Sequence, residues 1–205
     1  DTFFQVVDMI KNNIENKTLI FYTNGLLGSR KSQTYSNFND FMYNLSYWSS
    51  WSNGFNIWKS EFDKIDKNLK LNKLFPHTSL FLTQHQAKLF CINDNLLFDV
   101  QRIPKRGGHN KFEAFTIEYP SLLDECCKKG HISTKCKKHI LFGIMVQFLP
   151  SLLFNKYIIR IETFDDTGFR NNLKKYYPSY AYWLVLISVL GVPFRLFCRK
   201  LKNKR

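Results

Sequence analysis

The sequence predicts an α+β fold: a small sheet with helices within roughly the first 120 residues, followed by one or two C-terminal apolar helices that read as membrane helices. Three observations predict it. Apolar residues recur at helical intervals in the N-terminal third, short β-branched and aromatic runs bounded by turn residues follow, and uncharged stretches lie near the end. With 205 residues, 44% hydrophobic and 17% aromatic, the chain can bury one ordinary core and carry an appendage, which excludes a disordered polypeptide.

Phe3, Val7, Ile10 and Ile14 share one helical face, with Asp8, Lys11 and Glu15 elsewhere, so Thr2 to Glu15 reads as an amphipathic helix. Thr18 to Tyr22 is a short strand closed by the turn pair Asn24-Gly25, and a loop carrying Gly28, Arg30 and Lys31 leads to Ser36. Phe38, Phe41, Met42 and Leu45 predict a second helix to about Trp48 with Ser36 or Asn37 as N-cap. Phe62, Ile65 and Leu69 suggest a third. Beyond Pro76 the runs Ser79–Thr83, Lys88–Ile92, Leu96–Ile103 and Lys111–Tyr119 read as strands, with Asn93-Asp-Asn95 as a hairpin turn, and helices are expected on one face of the sheet. No internal repeat is evident.

The texture changes after residue 125. The chain divides into an α+β domain at 1–125, a basic Cys/His-containing segment at 126–139, a short apolar helix at 140–155, a polar loop at 156–175, an anchoring helix at 176–194 and a basic tail at 195–205. Ile140 to Asn155 lacks charge but contains Pro150, and a helix of that length reaches about 24 Å, short of the roughly 30 Å hydrocarbon core. Tyr176 to Phe194 is also uncharged. Tyr176, Tyr177, Tyr180, Tyr182 and Trp183 crowd its leading end, as interfacial aromatics do, and Pro193 would kink or end the helix. The competing reading is a hydrophobic C-terminal helix docked on the protein's own core.

Charge follows the same division. The net charge is +14; residues 1–100 hold ten Lys/Arg against nine Asp/Glu, and residues 101–205 hold twenty against seven. Arg195, Arg199, Lys200, Lys202, Lys204 and Arg205 follow the last apolar run without an acid, so they are expected to contact lipid headgroups, with the tail cytoplasmic and the chain a single-pass or hairpin membrane protein. Nucleic acid is the alternative partner of such charge, through Arg102, Lys105, Arg106 and Lys111 around the turn Gly107-Gly108-His109.

Other chemistry is thinly signalled. Cys127, His131, Cys136 and His139, with Cys126 beside them, are thiolate and imidazole donors of the kind zinc takes, yet their spacing matches no zinc signature and five lysines interleave them. No nucleophile elbow, zinc-protease helix or nucleotide-binding glycine pattern occurs. Tyr47, Trp48, Trp51, Phe55 and Trp58 form an aromatic concentration that a core corner explains more simply than a stacking platform. The sequence therefore points to a non-enzymatic membrane protein with a protein partner for its globular domain, and, as the alternative, to a basic RNA-binding or ribonucleoprotein component.

Overall fold

The computed structural model describes residues 2–51, 54–98 and 110–203, the last five by backbone alone. The fold is mixed α+β, dominated by helix, with a single small sheet among the described residues. The chain forms two compact units, one of Asp1–Ile103 with Glu125–Lys137 and the other of Pro104–Asp124 with Lys138–Arg205.

The first unit is built on a three-stranded sheet of β1 (Leu19–Tyr22), β2 (Ser32–Tyr35) and β3 (Phe90–Asn93) in the order β1-β3-β2. β1 runs parallel to β3, with Ile20 beside Cys91, and β2 pairs antiparallel to the other edge of β3. Both parallel strands are buried along their whole length, as continuous apolar runs in covered sheets are. Helices cover both faces, where one face was expected. On one, Val6 and Met9 of α1 (Thr2–Lys11) pack against Ile20, Tyr22, Cys91 and Leu97. On the other, Phe38 and Phe41 of α2 (Phe38–Leu45) lie against Phe90 at ring separations of 5.5 and 5.2 Å, and Phe81 lies 5.3 Å from Phe21. Alternate residues of a strand face opposite ways, so β1 and β3 supply two apolar faces and each needs a helical cover.

Local chemistry explains the elements. The Asn37 side chain accepts the Asp40 N–H at 2.8 Å and caps α2 as expected. The third helix is only the single turn α3 (Lys59–Phe62). Residues 79–83 are not a strand: Pro76 opens α4 (Pro76–Leu82) at its first turn, where a missing N–H costs nothing. No hairpin forms at residues 93–95, because β3 leaves its turn toward the loop after β1. The free edge of β1 is covered by residues 54–58: Tyr22 N–H donates to the Gly54 carbonyl, Asn56 N–H to the Ile20 carbonyl at 3.1 Å, and the Trp58 indole to the Thr18 carbonyl at 2.9 Å. A Cβ on Gly54 would lie 2.6 Å from the Phe21 ring, so this close approach requires glycine.

The second unit is helical. Residues 111–119, expected as a strand, are the helical run α5 (Lys111–Glu113), a π-turn at Ala114–Glu118 and the start of α6 (Tyr119–Lys128). Asn110 caps it by accepting the Glu113 N–H at 2.9 Å. Thr134–Ile158 is a second continuous helix: α7 (Thr134–Gly143), a π-turn at Ile144–Phe148, α8 (Leu149–Leu153) and a further π-turn at Phe154–Ile158. A short repeat emerges here that the sequence reading passed over. Pro120-Ser-Leu-Leu123 and Pro150-Ser-Leu-Leu153 each begin two residues after a π-turn ends, at Glu118 and at Phe148. Proline has no N–H for the ladder, and the wider turn is how each helix passes it.

The chain ends in α9 (Phe169–Tyr176), α10 (Ala181–Val189) and α11 (Val192–Asn203). α9 packs on the π-turn at 114–118, with Phe169 and Phe112 rings 5.0 Å apart, and α10 packs on the middle of the Thr134–Ile158 helix. Lys156 near the end of that helix donates to the Phe164 carbonyl at 2.5 Å and to Asp166 at 2.6 Å, and Tyr157 donates to the other Asp166 oxygen. Together they fasten the segment that follows.

Candidate functional site

In the first unit the most elaborate polar arrangement surrounds Asp94, at the C-terminal end of β3. Its side chain is fully buried and accepts from Thr23 Oγ1 at 2.5 Å, from the N–H groups of Leu27, Ser29 and Arg30 at 3.0, 2.7 and 3.1 Å, and from Ser29 Oγ at 3.1 Å. Burial alone would raise its pKa, but the hydrogen bonds from Thr23, Leu27, Arg30 and Ser29 outweigh it and hold the carboxyl below the usual range. With both oxygens engaged, Asp94 clamps the 23–31 loop, which carries left-handed residues at Asn24, Gly25, Gly28 and Arg30. It is a structural carboxylate. Chemistry at the end of a parallel strand pair would need an open group there.

A cleft of the first unit at the other end of β1 and β3, about 510 Å³, is lined by Trp58, Lys17, Lys64, Lys88, Glu15 and Glu61 among others. Its charges answer one another. Lys64 lies 2.9 Å and Lys17 3.6 Å from Glu61, and the Lys64 hydrogen bond holds the Glu61 carboxyl low. The aromatic concentration of the sequence is a core corner in the main: Tyr47 is buried against Trp48 at 5.0 Å, and Phe55 sits 5.3 Å from Phe81.

The zinc-type donors engage separate neighbours. Cys136 is buried and its thiol donates to the Asn39 carbonyl at 3.5 Å; Cys127 lies 3.8 Å from the Thr134 hydroxyl; His131 stacks on His85 with ring centres 3.5 Å apart. Burial, with Cys136 and Cys127 adding to it, pushes the Cys126 thiol up to about 12. Among the described residues no group of three or more His, Cys, Asp or Glu side chains is disposed to hold a metal ion. His139 joins no such group.

Of the expected phosphate-binding residues, Arg102, Lys105 and Arg106 lie outside the described residues, as does the turn at 107–109. Lys111 is committed within the second unit, 3.7 Å from the buried Glu162 carboxylate and 4.0 Å above the Phe164 ring. Of the tail cations, Arg195 is half-buried and directs Nη1 inward to the Val146 carbonyl at 2.6 Å. Arg199, Lys200 and Lys202 follow on the backbone of α11, and Lys204 and Arg205 lie beyond the described residues.

The apolar segments differ from expectation in a way that matters. Thr134–Ile158 is the one described helix long and apolar enough to cross a membrane, and just over half of its most apolar part is buried within the protein, as in a core helix. The stretch at 176–194 is not one helix. Tyr177 leaves α9 in an extended conformation before Pro178, and α10 ends at Leu190-Gly191, where the chain bends by 53° into α11. Pro193 falls in the first turn of α11, so the break precedes it by two residues. Nine residues of α10 reach about 13.5 Å, less than half the hydrocarbon core.

Along this bent pair runs a stripe that none of the described residues of its own unit covers. Tyr180, Trp183, Ile187, Leu190, Phe194 and Phe197 follow one another at three and four residues, and all are exposed, Leu190 at 81% and Phe194 at 70%. The opposite side is core: Ala181, Val185 and Val192 are buried, Val185 completely. A helix apolar all round belongs in a large core or in lipid, and here one half of it has a core. Tyr157, Ile158, Ile159 and Ile161 of the same unit are exposed as well. No residue after Asp166 is acidic, while Arg170, Lys174, Lys175 and the tail are basic.

The sequence reading covers the stripe as far as Phe194, leaves out Phe197, and misses that these residues sit on two short helices. The signal was there in Pro178 and Gly191-Val-Pro193. It missed Arg170 altogether, because that residue meets the stripe only through the packing of α9 on α10; its guanidinium lies 5.2 Å from the Tyr182 ring and 5.9 Å from that of Trp183. Compared with known proteins, the chain matches no family model, no curated protein and no solved structure.

Proposed function

We propose that this is a non-enzymatic, membrane-associated protein whose helical unit lies on an anionic bilayer surface, with α10 and α11 resting in the headgroup and upper acyl region. The observation that carries the reading is the exposed stripe from Tyr180 to Phe197 on a unit whose C-terminal part is basic without a single acid. Contiguous exposed apolar surface of this kind marks a site that something apolar covers. Amphipathic helices that lie in the interface insert about 5–10 Å deep, a depth that suits short helices bent against each other. Burying a large apolar side chain from water is worth about 1.5–3 kcal/mol, so six partly exposed ones supply enough for micromolar association after the costs of ordering.

The cations set the side. Basic residues flanking an interfacial segment favour the anionic cytoplasmic leaflet, so the tail faces the cytoplasm in this reading. The first unit, with its sheet and clamped loop, is then the part that meets a protein partner.

Flotation of the full chain with vesicles of mixed phosphatidylcholine and phosphatidylserine tests the proposal. It predicts that the protein rises with the vesicles and that Trp183 fluorescence is quenched by lipids brominated near the headgroup. Protein left at the bottom of the gradient overturns it.

A further inference from the structure

We infer that Arg170 and Lys174 form a phosphate-binding subsite for anionic phospholipid headgroups at the aromatic end of the stripe, so that association is selective for anionic membranes. This rests on the membrane reading above and adds the lipid class and the residues that choose it.

The geometry is specific. α9 buries Phe169 and Leu173 and exposes Arg170 and Lys174, which stand one turn apart on its outer side. Arg170 is stacked over Tyr182 and beside Trp183, at 5.2 and 5.9 Å. The two rings hold the guanidinium by cation–π attraction while Arg170 stays exposed, and a planar fork of donors is suited to a phosphate group. No carboxylate pairs with Arg170 among the described residues, and the last acid in the chain is Asp166.

Its position relative to the stripe names the occupant. Tyr180 and Trp183 are exposed at the same end as Arg170, the arrangement of rings at headgroup depth with a cation beside them. Apolar residues from Ile187 to Phe197 continue from there. A soluble phosphate ligand would use the cations and leave this apolar run idle, whereas a bilayer occupies both.

The experiment compares the full chain with Arg170→Gln/Lys174→Gln and with Arg170→Lys, each titrated with phosphatidylcholine vesicles and with phosphatidylcholine–phosphatidylserine vesicles. Near-surface cations contribute about fivefold each to binding of anionic membranes, so the double variant should lose roughly 20-fold or more of its affinity for the anionic vesicles and keep its weak binding to the neutral ones. Arg170→Lys should lose less, since the charge stays and only the stacked fork is gone. A double variant that retains the wild-type preference for anionic vesicles overturns the subsite and leaves the membrane reading standing. Wild-type protein that binds neither vesicle overturns both. Both positions are exposed, and circular dichroism of each variant checks that the fold is intact.

Discussion

Arg195 gives the Val146 carbonyl, at 2.6 Å, a hydrogen bond that residue 150 would supply in a regular α-helix. Residue 150 is proline and has no N–H to give. The π-turn at Ile144–Phe148 carries the helix past it, and a side chain from α11 reaches over to the carbonyl. Arg195 is thus tied to the interior by its head, while Arg199, Lys200 and Lys202 follow on the backbone of α11. Arg195→Met, which keeps the apolar stem, should lower stability by about 1–3 kcal/mol, read from urea unfolding. In a Pro150→Ala background, where an N–H is available, the same substitution should cost about 1 kcal/mol less. Equal costs in the two backgrounds would show that the pairing has nothing to do with the proline.

Tyr177 reaches the other repeat, at a carbonyl one position earlier in register. Its hydroxyl donates to the Phe115 carbonyl at 2.7 Å, and Phe115 is the residue whose next π-type partner would be Pro120. Tyr177→Phe should cost about 1 kcal/mol near neutral pH. Burial holds the Tyr177 hydroxyl well above its ordinary range, so the folded protein keeps the proton longer than the unfolded chain does. That contribution is present below the unfolded value, about pH 10, and is lost as pH rises toward the folded one. Wild-type stability should therefore fall more steeply than that of Tyr177→Phe above about pH 10; parallel curves would count against a neutral buried donor.

Asp94 gives the opposite sign. Its folded pKa is depressed, so it contributes stability that is complete above the unfolded value, about 4, and is lost as pH falls through the folded one. Asp94→Asn keeps the size but gives up charged acceptance from Thr23, Leu27, Ser29 and Arg30, and should destabilise by about 2 kcal/mol or more at neutral pH. The acid limb of its stability curve should be flatter than that of the wild type. An acid limb of unchanged slope would mean the carboxylate contributes nothing through its charge.

These three groups also mark what could and could not be read from the chain. Asn37 followed by Phe38, Phe41, Met42 and Leu45 is a local signal, a cap and an apolar face within nine residues, and α2 forms where it was expected. The run Ser79 to Thr83 is too short for periodicity to separate strand from helix. Pro76, a helix opener, was the better guide. Asn110-Lys-Phe-Glu113 likewise carries a capping pattern, which the strand reading of Lys111–Tyr119 leaves unused. By contrast, β2 at Ser32–Tyr35 has no apolar alternation, its side chains being largely exposed, and exists because the edge of β3 accepts it. Asp94 looked like a turn residue because the loop it clamps lies some seventy positions away in sequence. The stripe was visible as composition, and its division into two helices was visible only as proline and glycine. Arg170 could not be assigned from any local pattern, since its role depends on which helix packs beside which.

The stripe itself makes the sharpest prediction, because exposed and buried apolar residues alternate on the same short helix. Ile187 and Leu190 face out, and Val185 faces the core. If the outward residues contributed to folding, replacing them would destabilise the protein; if they are kept for an apolar surface, replacement should leave the fold alone and weaken binding. Ile187→Ser and Leu190→Ser should each change stability by no more than about 0.5 kcal/mol. Together they should weaken vesicle binding by tenfold or more, since two large apolar contacts of about 1.5 kcal/mol or above are removed. Val185→Ser should do the reverse, costing about 2 kcal/mol or more of stability through a buried cavity and an unsatisfied hydroxyl. Urea unfolding and vesicle flotation on the same preparations separate the two effects. Loss of stability in the Ile187 and Leu190 variants comparable to that in Val185→Ser would mean that the outward face is covered by protein in solution, and the bilayer would lose its claim to it.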